Sequence, residues 1–302
     1  MTATADMIID RRRTRRRLAF WRIAAIVAIV VAVIAMLPRF IAPGGGPHIA
    51  RIDVTGIIFH DPLRERAILD LAENDSVEAV IIAIDSPGGT LVGSEALYEA
   101  IRKVADAKPV VATMSEFAAS GGYITALAAD HIVARQNTLT GSIGVVLEAP
   151  NFEDLLTTLG IEVNRIKSAP LKAEPTYTSK PTPEALAVQQ ELIDDAFDWF
   201  RGLVRDRRGL EGPALAKVTD GRAHTGRQAL ALGLVDALGD EAVARTWLEQ
   251  EHSISPDLVV QNHTWGDDEV PWPLGDIGGL EGIFTQSQHV FTSIPRLYAL
   301  VR

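Results

Sequence analysis

Apolar and polar positions beyond residue 48 alternate between two rhythms. Ile49 to Ile58 reads as a strand, and Val77 to Ile84 is a nearly continuous apolar run of the kind buried on both faces of a parallel sheet. Val110 to Met114 repeats that signature, and Asp130-His131-Ile132-Val133 opens a further strand. Between the second and third runs, Leu91 to Val104 carries apolar residues at helical spacing. Strand, helix and strand in that order predict a right-handed crossover in an α/β core. Thr182-Pro183-Glu184 marks an N-cap with proline at the first helical position, and Ile193, Ala196, Phe197, Phe200 and Val204 mark the buried face of the long helix it starts. Gly233 and Gly239 read as stops. Residues 262 to 287, rich in glycine, proline and acidic residues around Trp265 and Trp272, read as a loose loop before a short apolar tail.

The pattern upstream is different. An apolar stretch from Ile23 to Leu37, extendable to 18–41, follows Arg11, Arg12, Arg13, Arg15, Arg16 and Arg17. With Arg22 able to snorkel to the interface, the stretch predicts one tilted transmembrane helix, set against the roughly 20 apolar residues a span needs. The arginine cluster places the N-terminus in the cytoplasm and residues from about Pro43 onward outside it. The expected organisation is a basic cytoplasmic segment at 1–17, an anchor at 18–41, a Pro/Gly linker at 42–48, a main domain at 49–261 and an extension at 262–302.

Charge and composition narrow the chemistry. The net charge of −10 hides the basic N-terminus, so the main body is distinctly acidic, which argues against nucleic acid as its partner. The 302 residues contain no cysteine, which excludes a disulfide scaffold and a thiolate nucleophile. No His/Asp/Glu cluster has ligand spacing, so neither a metal nor another cofactor is expected.

Two glycine turns then carry the candidate chemistry. Asp85-Ser86-Pro87-Gly88-Gly89-Thr90 closes one predicted strand and Ala118-Ala119-Ser120-Gly121-Gly122 follows the next. Glycines directly after a buried strand let the backbone turn sharply and leave an N–H group for an oxyanion, and Ser120 is a candidate nucleophile. Asp85, ending a strand before Pro-Gly, reads as a turn former. A serine hydroxyl needs a base, and Lys172 in Ile-Lys-Ser-Ala-Pro-Leu-Lys can serve if burial keeps it neutral. Lys167 belongs to the preceding predicted strand and Lys180 lies past the turn. A histidine triad has weaker support: His131 starts a strand, and His224 falls in a turn where a packing or surface role is expected.

Five blocks in order resemble the short, single-repeat, membrane-anchored signal peptide peptidases of the SppA type: D-S-P-G-G at 85–89, A-A-S-G-G-Y at 118–123, T-G-S-I-G-V at 140–145, Lys172 after Lys167-Ser168, and D-G-R-A-H-T-G onward at 220–239. The resemblance runs from about Ile49 to Trp247, and faintly again at Ile294 to Leu300. It implies a crotonase- or Clp-protease-like α/β superhelix of β-β-α units, oligomerised as a ring on the bilayer. It also implies a serine peptidase cleaving remnant signal peptides, with Ser120 as nucleophile, Lys172 as base, Gly89 and Gly121 as oxyanion donors and Ser142 as the lysine's hydroxyl partner. In such short forms the serine and lysine of one site come from neighbouring subunits. One departure is Ser168-Ala169-Pro170, where the family usually has Ser-Gly. A non-catalytic ring scaffold on the same fold is the alternative.

Overall fold

The computed structural model describes residues 46–264, the backbone of 298–300, and Trp21, Arg22, Ala25–Val27 and Ile29, which are helical. The chain divides into a unit at residues 1–47 and a second at 48–302. Among the described residues no helix is long and apolar enough to cross a membrane. The anchor expected at 18–41 lies almost wholly outside them, as does most of the extension at 262–302.

Three long strands form the centre: β1 (His48–Ile58), β2 (Val77–Thr90) and β3 (Val110–Ala119). They pair in parallel, Ala50 beside Val80 and Val80 beside Val110. Helix α1 (Pro62–Glu73) connects β1 to β2, and α2 (Leu91–Ala105) connects β2 to β3. Both start on side-chain caps, Asp61 accepting from the Leu63 and Arg64 amides and Thr90 from the Gly93 amide. Outside these lie β4 (His131–Ala134) and β5 (Leu139–Gly141), both parallel to β3, and β6 (Ala223–Thr225), antiparallel to β5. β7 (Ala237–Leu238) joins β4, β8 (Val259–Asn262) joins β1, and β9 (Tyr298–Leu300) joins β2. The result is a mixed α/β fold with a predominantly parallel sheet.

The continuous apolar run of β2 follows from burial on both faces. Val80, Ile82 and Ile84 pack with Leu97, Ile101 and Phe200 on one side, whereas Ala79 and Ile81 pack with Ala244 and Leu248 of α8 (Glu241–His252) on the other. Each such isoleucine contributes about 1.5–3 kcal/mol by leaving water. Five further helices complete the order: α3 (Gly121–Leu127), α4 (Glu153–Thr158), α5 (Pro183–Arg208), α6 (Gly212–Val218) and α7 (Gly226–Ala231). Helix α5 starts on Thr182 as the sequence predicts, and Ala196, Phe200 and Val204 are its buried residues at that spacing. Ile193 and Phe197 are only half-buried.

Two expectations need correction. Residues 85–90 do not leave the sheet in a turn; they prolong β2 beside Ile57 and Ile58, because the Ser86 hydroxyl donates to the Gly56 carbonyl at 2.7 Å and accepts from the Gly88 amide at 3.1 Å. Asp85 is therefore a strand residue, whose carboxylate accepts from the Phe117 amide at 3.1 Å and ties β3 to β2. The strand expected around Lys167 is also absent, and residues 161–167 form no regular element.

Candidate active site

Ser120 sits where β3 gives way to α3, and its backbone pays for the position: φ 54° and ψ −115°, a region that costs a non-glycine residue about 1–3 kcal/mol. The conformation is fixed by a hydrogen bond from its own amide to the Gly141 carbonyl at 2.8 Å. Although it stands at the N-cap of α3, its hydroxyl does not cap the helix. The residue is fully buried, and its Oγ has no hydrogen-bond partner among the described residues. A hydroxyl that is sequestered yet uncommitted is unusual, because buried polar groups nearly always find a partner.

The glycines come to the same place for a steric reason. A Cβ on Gly121 would collide with the Ser94 hydroxyl and lie 3.0 Å from the Gly89 amide nitrogen, while a Cβ on Gly89 would run into the Ile58 backbone. Only glycine lets the ends of β1, β2 and α3 approach this closely. The backbone nitrogens of Gly89 and Gly121 thus stand beside Ser120, as a pair of oxyanion donors would.

Ser142 arrives through β5. Ala119 pairs with Gly141, so Ser142 is the first residue past the carbonyl that holds Ser120. It is buried, has φ 49°, and donates its amide to the Arg222 carbonyl at 2.9 Å. Four described non-glycine residues have positive φ: Ser120, Ser142, Ala173 and Ser253. The last is a helix C-cap, whereas the other three are two candidate site residues and the neighbour of a third. Strain of this kind concentrates where function demands it.

Lys172 is not brought to Ser120 within the chain. It lies in an exposed turn held by its amide on the Ala169 carbonyl at 3.1 Å, and among the described residues its ammonium makes no ion pair. The other nearby lysines are engaged: Lys167 pairs with Glu174 at 2.6 Å and Lys180 with Asp154 at 3.4 Å. The segment carrying Lys172 shows unusual apolar exposure, with Phe152, Leu155, Leu159, Ile161, Ile166 and Leu171 all open to solvent.

Two features add to the motif reading. The edge of β2 that β3 leaves beyond Ser86 is met by β9, antiparallel, with Ala299 opposite Gly89. The sequence signal for it was the faint resemblance at Ile294 to Leu300. The second is His224, which takes the packing role of the two expected for it, buried against Gly141, with Nε2 lacking any partner among the described residues. Among the described residues no group of three or more potential ligands could hold a metal.

Comparison with known proteins places this geometry. The family model described as peptidase family S49 matches residues 102–255, which include Ser120, Ser142 and Lys172. A Synechocystis sp. relative carrying a protease name is 36% identical over 247 residues, 78% of this chain and 89% of its own. The chloroplastic serine protease SPPA of Arabidopsis thaliana is 36% identical over 190 residues, 62% of this chain but 28% of that protein. Among solved structures, a membrane-bound stomatin-specific protease, 1510-N, aligns over 72% of this chain and 98% of its own at 16% identity and a TM-score of 0.49. The chain belongs to peptidase family S49.

Proposed function

We propose that this chain is a membrane-anchored serine endopeptidase that cleaves remnant signal peptides and other membrane-associated peptides with a Ser120/Lys172 dyad completed between copies of the chain. The observation that carries the reading is the buried, strained and unpartnered Ser120 Oγ beside the Gly89 and Gly121 amides. Lys172, exposed on an apolar segment, suits a base delivered to a neighbour, since covering that segment would take its amine out of water and favour the uncharged form. In the assembled site Lys172 takes the Ser120 proton as Oγ attacks the peptide carbonyl. The two glycine amides receive the oxyanion, the lysine returns the proton to the leaving amine, and water releases the acyl group by the same route. Ser142 orients the lysine's lone pair.

The finer fold reading belongs here too: a crotonase- or Clp-protease-like superhelix assembled as a ring, its body on the periplasmic side and its anchor at 18–41. An extended peptide would take the edge of Gly88–Thr90 that β9 occupies, a mode in which main-chain hydrogen bonds supply affinity and side-chain pockets supply selectivity. The pocket accepts small to medium apolar side chains, so selectivity is broad, at about 1–3 kcal/mol per methylene.

Mixing Ser120→Ala with Lys172→Ala subunits tests the dyad. Each variant alone is inactive, and co-assembly in equal amounts restores about a quarter of the sites when serine and lysine come from adjacent copies. Verified mixed assemblies with no activity would overturn the shared site, and hydrolysis surviving in Ser120→Ala would overturn the nucleophile.

A further inference from the structure

His224 occupies the rung of the sheet next to the one that holds Ser120. β6 runs antiparallel to β5 with His224 opposite Thr140 and Ala223 opposite Gly141. The imidazole presses on the glycine itself: its Cδ2 is 3.0 Å from where a Gly141 Cβ would stand. Gly141 has φ 76°, so it is glycine both for its backbone conformation and for this ring. The carbonyl of Gly141 takes the Ser120 amide, and the next residue, the left-handed Ser142, gives its amide to Arg222, two residues before His224. One buried ring therefore backs the peptide that sets both serines.

The residue is 7% exposed, and its Nε2 has no hydrogen-bond partner among the described residues. A buried imidazole in that state is tolerable when neutral and poorly suited to carrying a charge. The titratable groups that act on it are Asp220 and Arg222 from its own turn and Lys217 from α6, with Asp220 favouring the proton and the two cations opposing it. Facing it from β5 are Thr140 and Gly141, neither of which titrates, and Leu234 also packs on Gly141. Burial is the largest influence and holds its pKa below the ordinary imidazole value.

We propose that His224 is a positioning residue of the Ser120 site, bracing the Gly141 peptide while neutral and unseating Ser120 and Ser142 when protonated. The proposal rests on Ser120 being the nucleophile. It adds a second proton-dependent element to a site whose base is a lysine. Acid then acts twice, once by protonating Lys172 and once by charging a buried ring that has no acceptor for its new N–H.

The full-length chain in detergent, assayed on a fluorogenic peptide from pH 9 to 5, tests this. Where the lysine alone titrates, kcat/KM falls about tenfold per pH unit; once His224 also protonates, below about pH 6.5, it falls about 100-fold per unit. His224→Phe keeps a flat ring but cannot titrate, and His224→Gln keeps polarity without a charge. Both variants are expected to show the tenfold slope down to pH 5, whatever their rate at pH 8. A ring needed only for packing would change the rate at every pH and leave the slope alone. A wild-type slope that stays tenfold throughout, or a 100-fold slope that survives in both variants, overturns the positioning role. Loss of the whole profile in Ser120→Ala is the control, since hydrolysis persisting there would sink the nucleophile reading instead.

Discussion

Gly121 is where the site is least forgiving at the scale of single residues. A Cβ there meets the Ser94 hydroxyl, which donates to the Thr90 carbonyl at 3.0 Å, and crowds the Gly89 amide. Gly121→Ala is expected to lower kcat by about 100-fold, the usual consequence of displacing one oxyanion donor. Adding Ser94→Ala removes the struck atom and should recover part of that loss, as steady-state kinetics of the single and double variants will reveal. Equal rates for the two would show that steric displacement through Ser94 is not the cause. Much at this scale was legible in the sequence, because Gly89, Ser120, Gly121 and Ser142 sit at strand ends inside compact motifs. For His224 the choice between a packing and a surface role stayed open, since its burial depends on β5 and β6 pairing across a long separation, and a histidine in a polar turn carries no local sign of it. Nor does any local pattern say which copy of the chain the Lys172 ammonium faces.

Among the elements, β2 decides how a peptide can reach Ser120. Periodicity located its apolar half, but the Pro-Gly-Gly letters that normally signal a turn concealed that the strand continues to Thr90. Ser86 and the pairing with Ile57 and Ile58 override the local preference. β3 separates after Ser86 pairs with Ala118, so one edge of residues 88–90 lies open to β9. That pairing had only the faint resemblance at Ile294 to Leu300 behind it, because a three-residue strand after a long aperiodic stretch has no pattern of its own. If β9 and a peptide use the same edge, they compete. Ending the chain after Thr264 should then lower KM for a peptide substrate by about threefold or more with kcat unchanged, and a synthetic peptide spanning 294–302 should inhibit the shortened enzyme competitively. An unaltered KM would mean that the tail does not share the substrate's edge.

Over the whole molecule, burial of histidines makes the fold acid-sensitive. His131, stacked on Trp247 at 4.8 Å, and His224 and His263 are all held below the ordinary imidazole pKa, in each case chiefly by burial. Nearby charges modify this, Asp236 pulling His131 back up and His48 pushing His263 further down. His263 and His48 meet Nε2 to Nε2 at 3.1 Å with their rings within 7° of parallel. One N–H lies between them, so a second proton sets two N–H groups against each other. The pair joins the start of β1 to the residue following β8, whose amide also reaches the Arg51 carbonyl at 2.8 Å. In each case the unfolded chain binds protons more readily than the folded one, so stability is fully present above about pH 6.5 and falls as the pH drops below it. Scanning calorimetry at constant ionic strength should therefore give a flat Tm from about pH 8 to 7 and a decline from 6.5 downward. His263→Asn, which removes one proton site at the edge of the sheet, should reduce that decline while leaving the acid slope of hydrolysis intact, because the slope belongs to His224 and the lysine. A Tm that holds constant down to pH 5 would mean that these rings accept protons without loss, and that their burial does not govern the stability of the fold in acid.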